Sequence, residues 1–181
     1  MKYNLNSETS SEVMQKLDGQ VKDTLLGCPL PKAYKNLRTI GGARFKFSFH
    51  SEINWLVLSL QFFNKEVNLF LEYEKEFETN FLIGNYVKAK EVIDKIDSKI
   101  CVSQWSIEKR LLVAEYSKDD NETKKDIIDR IKHEADRLIK INCSYTSIRY
   151  ETQLPPNRYE EILEKFVNRQ RTSGMSRYFL F

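Results

Sequence analysis

Apolar residues recur at spacings of three and four residues along most of this sequence, the repeat of an α-helix that buries one face. The clearest stripe consists of Tyr86, Ala89, Ile93 and Ile96. The 181 residues include only 6 Gly and 4 Pro, too few for an all-β fold rich in tight turns or for a glycine-rich phosphate-binding loop. We therefore expect a mainly α protein, a repeat-like bundle of helical hairpins.

An N-terminal helix is predicted over roughly 10–26. Thr9 and Glu12 have the spacing of a capping box at its start, and Gly27 followed by Pro29 is typical of its end. The apolar stripe of this segment consists of Val13, Leu17, Val21 and Leu25.

Capping residues and helix breakers predict further helices towards the C-terminus. Ser103 is a candidate N-cap for a helix that carries Trp105, Ile107, Leu111, Leu112 and Tyr116. Asn121 is a candidate N-cap for a helix over 121–141, whose apolar stripe consists of Ile128, Ile131, Ala135 and Leu138. The pair Pro155-Pro156 breaks the chain, and Asn157 with Glu160 has capping-box spacing before the last predicted helix.

A small β-hairpin is predicted near 36–49. Phe45, Phe47 and Phe49 alternate with polar residues, which is the repeat of a half-buried strand. Gly41-Gly42 precedes this run and suits a two-residue turn that needs positive φ at both positions.

The segment after Ser51, a candidate N-cap, is apolar on most sides over 53–63. This pattern predicts a helix buried at the centre of the core. The apolar pattern resumes after Asn64-Lys65-Glu66 and continues to about residue 82. The sequence leaves open whether 51–82 forms one helix or two.

We expect residues 1–50, with the first helix and the basic hairpin, to form one compact unit with a helical domain over 51–181. Cys28, Cys101 and Cys143 are widely spaced and indicate neither a disulfide framework nor a zinc site. The N-terminus is polar, and the longest apolar stretch is too short for a membrane span. We expect a cytoplasmic protein with no membrane segment, no metal and no cofactor.

Gly84, Tyr86 and Ala89 stand in the order Gly-x-Tyr-x-x-Ala. This order resembles the step that opens the second helix of a tetratricopeptide-type repeat, with Phe77 in the preceding helix. The resemblance covers roughly 77–131, where a second copy shifted by about 34 residues is degenerate. It implies stacked helix pairs that bind peptides or protein partners on a concave face.

Three aromatic residues are candidates for partner binding: Tyr86, Trp105 and Tyr116. Aromatic residues at helical spacing ordinarily pack between helices, and a partner groove would require some of them to be exposed. Both interpretations remain open from the sequence. Together with the helical-repeat resemblance, these aromatic residues favour a non-catalytic protein-interaction module that acts as a subunit or fragment of a larger assembly.

The alternative function is a nucleic-acid-binding or RNA-cleaving helical domain that uses the basic segment 32–50. Phosphate contacts from this segment would come from Lys35, Arg38, Arg44 and Lys46. If the segment is a hairpin, its phenylalanines would more simply cover the helical core. Arg44 and His50 also resemble the Arg-x4–6-His pair of helical ribonucleases of the HEPN type, although chance readily explains one such spacing.

Asp129 and His133 are four residues apart on a predicted helix, so one helix face could present them to a metal ion. Basic residues are interspersed with them, and a solvated face with salt bridges is the favoured interpretation. We therefore predict no catalytic residue, and the candidates for such a role are limited to Arg44 and His50.

Overall fold

The computed structural model of the chain describes residues 29–37, 49–117, 123–135, 137–151 and 154–170. Within these ranges the chain is mainly α-helical, as predicted, with a 3₁₀ turn at Tyr34–Asn36 and no strand. The helices are α1 (Phe49–Phe62), α2 (Asn64–Leu82), α3 (Tyr86–Lys99), α4 (Gln104–Tyr116), α5 (Lys124–Glu134), α6 (Arg137–Arg149) and α7 (Pro156–Gln170). None of these described helices combines the length and apolar character needed to cross a bilayer.

Helix α4 lies at the centre of the bundle because it contributes side chains to two buried clusters. Ile107 and Leu111 pack with Ile127 and Ile131 of α5 on one side. On the other side, Val113 packs with a second cluster built from α2 and α3. Ser103 begins α4 as its N-cap, as predicted, and forms a capping box with Ser106.

Helices α2 and α3 form a closely packed hairpin. Phe77 from α2 and Ala89, Val92, Ile93 and Ile96 from α3 are buried in one cluster. The stripe that predicted α3 is therefore its core face. The small side chain of Ala89, fully buried, is suited to the close approach of two helices.

The described segment 29–37 crosses the end of α3 and is held there by hydrogen bonds. The Val102 N–H donates to the Pro31 carbonyl over 2.8 Å. Lys32 Nζ donates to the carbonyls of Ser98 at 2.9 Å and Ile100 at 2.8 Å. A lysine at this position satisfies carbonyls that the last helical turn leaves without partners.

A buried ionic cluster joins α3 to α4. Arg110 Nη2 donates to Asp94 Oδ1 at 2.6 Å and to Asp97 Oδ2 at 2.8 Å. Burial alone would lower the pKa of Arg110, but hydrogen bonds to Asp97 and Asp94 outweigh it and raise the pKa. Arg110 therefore stays charged inside the bundle.

The β-hairpin predicted over 36–49 is not borne out. Asn36 belongs to the 3₁₀ turn and Phe49 is the first residue of α1, so both predicted ends lie in helical structure. Residues 38–48, and the helix predicted over 10–26, lie outside the described residues. At Phe49, helix formation by the following residues prevails over the alternating pattern that predicted a strand.

The prediction of a central buried helix over 53–63 is wrong. Helix α1 begins at Phe49, which places Ser51 in its first turn, and it exposes many of its large apolar side chains. The bundle core forms around α4 instead, and among the described helices α1 makes its principal contact with α2. The segment 51–82 forms two helices that meet at Phe63, just before the polar step.

The single helix predicted over 121–141 is also wrong, because the chain forms α5 and α6. Thr123 is the N-cap of α5 and forms a capping box with Asp126. Ala135 has extended backbone angles, φ −92° and ψ 165°, between the two helices. Ala135 is nevertheless buried, so the apolar spacing continued through a point where the backbone is not helical.

The break predicted at Pro155-Pro156 is present, but α7 begins at Pro156. Proline suits the first helical turn because its missing N–H would have no intrahelical partner there. Asn157 therefore lies inside the first turn rather than at the N-cap.

Candidate functional site

The turn between α2 and α3 is shaped by Gly84, whose φ is +78°. The Gly84 N–H donates to the Phe81 carbonyl at 3.0 Å, and the Asn85 N–H donates to the Asn80 carbonyl at 2.8 Å. These two bonds and the positive φ define a Schellman motif. Asn85 then caps α3, since its Oδ1 accepts from the Lys88 N–H at 3.3 Å.

Apolar side chains surround this turn and face solvent. Leu82, Ile83 and Val87 are 82%, 71% and 61% exposed, and Tyr116 at the end of α4 is also exposed. We call the surface formed by Leu82, Ile83, Tyr86, Val87 and Tyr116 the hairpin-tip patch. Exposed apolar clusters of this kind are typical of surfaces that bind another molecule.

Aromatic contacts connect the hairpin-tip patch with the core. The Phe81 ring lies 5.5 Å from the Tyr86 ring and 5.7 Å from the Tyr116 ring, and the two tyrosine rings are 6.5 Å apart. Phe81 in turn stacks on the buried Phe77 at 5.8 Å. The two tyrosines of the patch are therefore positioned by a framework of packed rings.

Of the three predicted partner-binding residues, the structure brings Tyr86 and Tyr116 together and places Trp105 elsewhere. The Trp105 ring makes edge contacts with Phe70 at 5.1 Å and with Phe77 at 5.3 Å. Lys109 Nζ lies over the same ring, 5.9 Å from its centre. Trp105 therefore contributes to packing between α2 and α4.

The predicted basic surface is only partly placed by the structure. Lys35 is exposed in the 3₁₀ turn, whereas Arg38, Arg44 and Lys46 lie outside the described residues. Lys32, at the start of the basic segment, is bound to two backbone carbonyls. His50 is exposed in the first turn of α1. The distance between Arg44 and His50 is therefore not given by the described residues.

Within the described ranges, no second set of ligands accompanies Asp129 and His133 for a metal ion. Asp129 Oδ1 lies 3.8 Å from Lys132 Nζ, and both side chains are about half exposed. Among the described residues, no group of three or more His, Cys, Asp or Glu side chains is arranged to hold a metal ion.

The two described cysteines have properties of structural thiols. Burial raises the pKa of Cys143 to about 11 and also raises the pKa of the half-buried Cys101. A raised pKa keeps the thiol protonated and therefore weakly nucleophilic.

Sequence reasoning did not predict Leu82, Ile83 and Val87 as surface residues. A signal was available, because these apolar residues flank a turn glycine where polar residues are usual. Helical periodicity obscured it by assigning apolar positions near 77–96 to the core.

Comparisons of the chain with protein-family models, with curated proteins and with solved structures gave no match.

Proposed function

We propose that this chain is a non-catalytic protein-interaction module whose hairpin-tip patch binds an apolar segment of a partner protein. The observation that carries the proposal is the grouping of Leu82, Ile83, Val87 and Tyr116 as exposed apolar side chains at one end of the bundle.

The hairpin-tip patch is apolar, and its two tyrosine rings are already packed against Phe81. Burying apolar side chains on binding provides the free energy, and a preformed surface loses less conformational entropy on binding. Tyr86 and Tyr116 add rings with a polar hydroxyl, a residue type enriched at protein interfaces. A partner segment with leucine-like or phenylalanine-like anchors suits this chemistry.

The helical-repeat resemblance supports the same function. Gly84 and Ala89, two of its motif residues, occupy the turn and the buried face that a helical hairpin requires. In this proposal the chain is a subunit of a larger cytoplasmic assembly, and the hairpin tip is where another subunit docks.

A photo-crosslinking experiment tests the proposal. A photoreactive amino acid replaces Val87 in one variant of the full chain. In a second variant of the same chain it replaces Leu71 of α2, which is also exposed and apolar but lies outside the hairpin-tip patch. Both proteins are irradiated in a lysate of the source cells, with and without nuclease. We expect a protein crosslink at position 87, resistant to nuclease and missing at position 71.

Binding of the crosslinked partner is then measured by calorimetry. We expect Val87→Glu to weaken binding by about tenfold or more, since a residue central to an interface commonly contributes over 1.4 kcal/mol. Leu71→Glu should leave the affinity unchanged. Equal affinities for the two variants would refute the assignment of this surface. Crosslinks lost with nuclease would instead favour nucleic acid, and a crosslink to a second copy would favour self-association.

A further inference from the structure

Helix α1 presents an exposed apolar stripe that belongs to neither buried cluster. Its members, between 42% and 77% exposed, are Phe49, Ile53, Leu56, Val57 and Leu60. Their spacing places all five within about 100° of arc on an ideal helix. We call this surface the α1 stripe. A stripe this regular is typical of a helix that packs against another helix along its length.

Helix α1 is nearly a continuation of α2. The Phe63 N–H donates to the Ser59 carbonyl at 3.0 Å, and the Val67 N–H donates to the Phe63 carbonyl at 2.8 Å. Among the described helices, the principal contact of α1 is with α2. The described helices therefore leave the α1 stripe exposed, so that a further helix can lie alongside it.

We propose that the N-terminal segment 10–26 of the same chain covers the α1 stripe as a second helix. From Val13 to Leu25 its predicted apolar stripe would be about 18 Å long at about 1.5 Å per residue. By the same rise, the α1 stripe is about 16.5 Å long from Phe49 to Leu60. The two apolar surfaces thus match in length as well as in chemistry.

The attachment of the chain at Leu30 is close enough to α1 for this segment to reach the α1 stripe. Leu30 packs against the cluster that Leu69 and Phe70 of α2 also contact. Leu69 is seven residues beyond Phe62, about 10 Å along the helix axis. The four residue steps from Leu26 to Leu30 span up to about 14 Å. The end of segment 10–26 can therefore reach the end of α1.

This attachment also determines the direction of packing. In the proposed arrangement both helices lead towards α2 and are therefore parallel, which would place Leu25 near Leu60 and Leu17 near Ile53. A second copy of the chain could offer a similar surface. The tether favours the chain's own segment, because a short linker gives an effective concentration on the order of millimolar.

Paramagnetic broadening in nuclear magnetic resonance tests the proposal on the full chain. A nitroxide is attached to Gln20→Cys, on the flank of the predicted stripe, after Cys28 and Cys101 are changed to serine. Cys143 is buried and is retained. We expect amide signals of α1 to lose most of their intensity, while signals of 82–87 at the far end of α2 keep theirs.

Two variants of the nitroxide-labelled protein provide the control, since each adds one negative charge to the segment. Leu17→Asp places the charge on the predicted stripe and should restore the α1 signals. Gln15→Asp places it on the opposite side of an ideal helix and should leave the broadening in place. Unchanged signals of α4 show that the bundle stays folded in both variants.

Three results would overturn the proposal. The first is full α1 intensity in the labelled chain. The second is broadening that occurs only when the nitroxide and the ¹⁵N label are on different chains, which would identify a second copy as the occupant. The third is broadening that Leu17→Asp does not relieve, because the apolar stripe would then not be the contact.

Discussion

Replacing Arg110 with methionine tests how the buried ionic cluster contributes to the fold. The Arg110 side chain is 8% exposed and donates to Asp94 and Asp97 on α3. Methionine is uncharged and matches the aliphatic part of the arginine side chain, so the substitution removes both ion pairs while preserving much of the packing of α4 against α3.

The size of the effect follows from the burial of the two carboxylates. Removing one partner of a buried ion pair typically costs about 3–5 kcal/mol, because the remaining charge is left buried without compensation. Asp94 is 55% exposed and stays hydrated, whereas Asp97 is 13% exposed. Since only one carboxylate is left buried, we expect Arg110→Met to lower the free energy of unfolding by about 3 kcal/mol.

A second substitution distinguishes this explanation from a loss of packing. Arg110 Nε and Asp97 Oδ1 have no hydrogen-bond partner in the part of the chain that the structure describes, so the native cluster is incompletely compensated. Asp97→Leu added to Arg110→Met removes the remaining buried charge. The double variant should then lie within about 1 kcal/mol of the native protein.

The measurement is urea unfolding followed by the helical circular dichroism signal. Native and variant proteins are compared with the same slope of unfolding free energy against urea concentration. Asp94→Asn is the matched control and should cost less than about 1 kcal/mol, as exposed ion pairs do. A loss below about 1 kcal/mol for Arg110→Met would refute the role of the buried charge. A double variant whose loss equals the sum of the losses of Arg110→Met and Asp97→Leu would refute it as well.

Three further predictions concern single positions. Gly84→Ala should lower the free energy of unfolding by about 1 kcal/mol, and Gly84→Asn by less, because L-residues disfavour positive φ. Urea unfolding measures both changes, and a stability equal to that of the native protein would refute backbone strain at position 84. When Cys28 and Cys101 are changed to serine, Cys143 should react with a thiol reagent near pH 8 only after unfolding, because burial raises its pKa to about 11. Rapid reaction of the folded protein would contradict this prediction. Hydrogen bonds from the hydroxyl and N–H of Thr123 lower the pKa of Asp126, so Thr123→Ala should raise it in a carboxyl titration. The lowered pKa of Asp126 stabilises the native protein above the ordinary carboxyl pKa, and this stabilisation is lost as the pH falls through the folded pKa. Native protein and variant should therefore differ less in free energy of unfolding in acid. An unchanged pKa of Asp126 in the variant would exclude the hydrogen bond from Thr123.

Local signals in the sequence predicted several helix boundaries. The stripe from Tyr86 to Ile96 and the cap at Ser103 correspond to α3 and α4 with little error. These signals succeed because a cap or a breaker acts on backbone groups within a few residues. The division at Ala135 was missed because apolar spacing reports which side chains are buried, and it does not report whether the backbone between them is helical.

The candidate site was predictable only in part. Tyr86 and Tyr116 were named from the sequence, but so was Trp105, which packs against Phe70 and Phe77. All three are aromatic residues on helices, and composition cannot distinguish an exposed ring from a packed one. Their distinction depends on which helices lie beside each position.

The helical content of the described chain, its main breaks and the apolar face of α3 follow from local sequence, because hydrogen bonding and capping in a helix involve neighbouring residues. The exposure of α1 and the grouping of Leu82, Val87 and Tyr116 depend on tertiary packing. Hydrophobicity indicates that a side chain gains free energy on burial, but it does not specify which surface will cover it. That choice is made by contacts between residues far apart in the chain, chiefly those around α4.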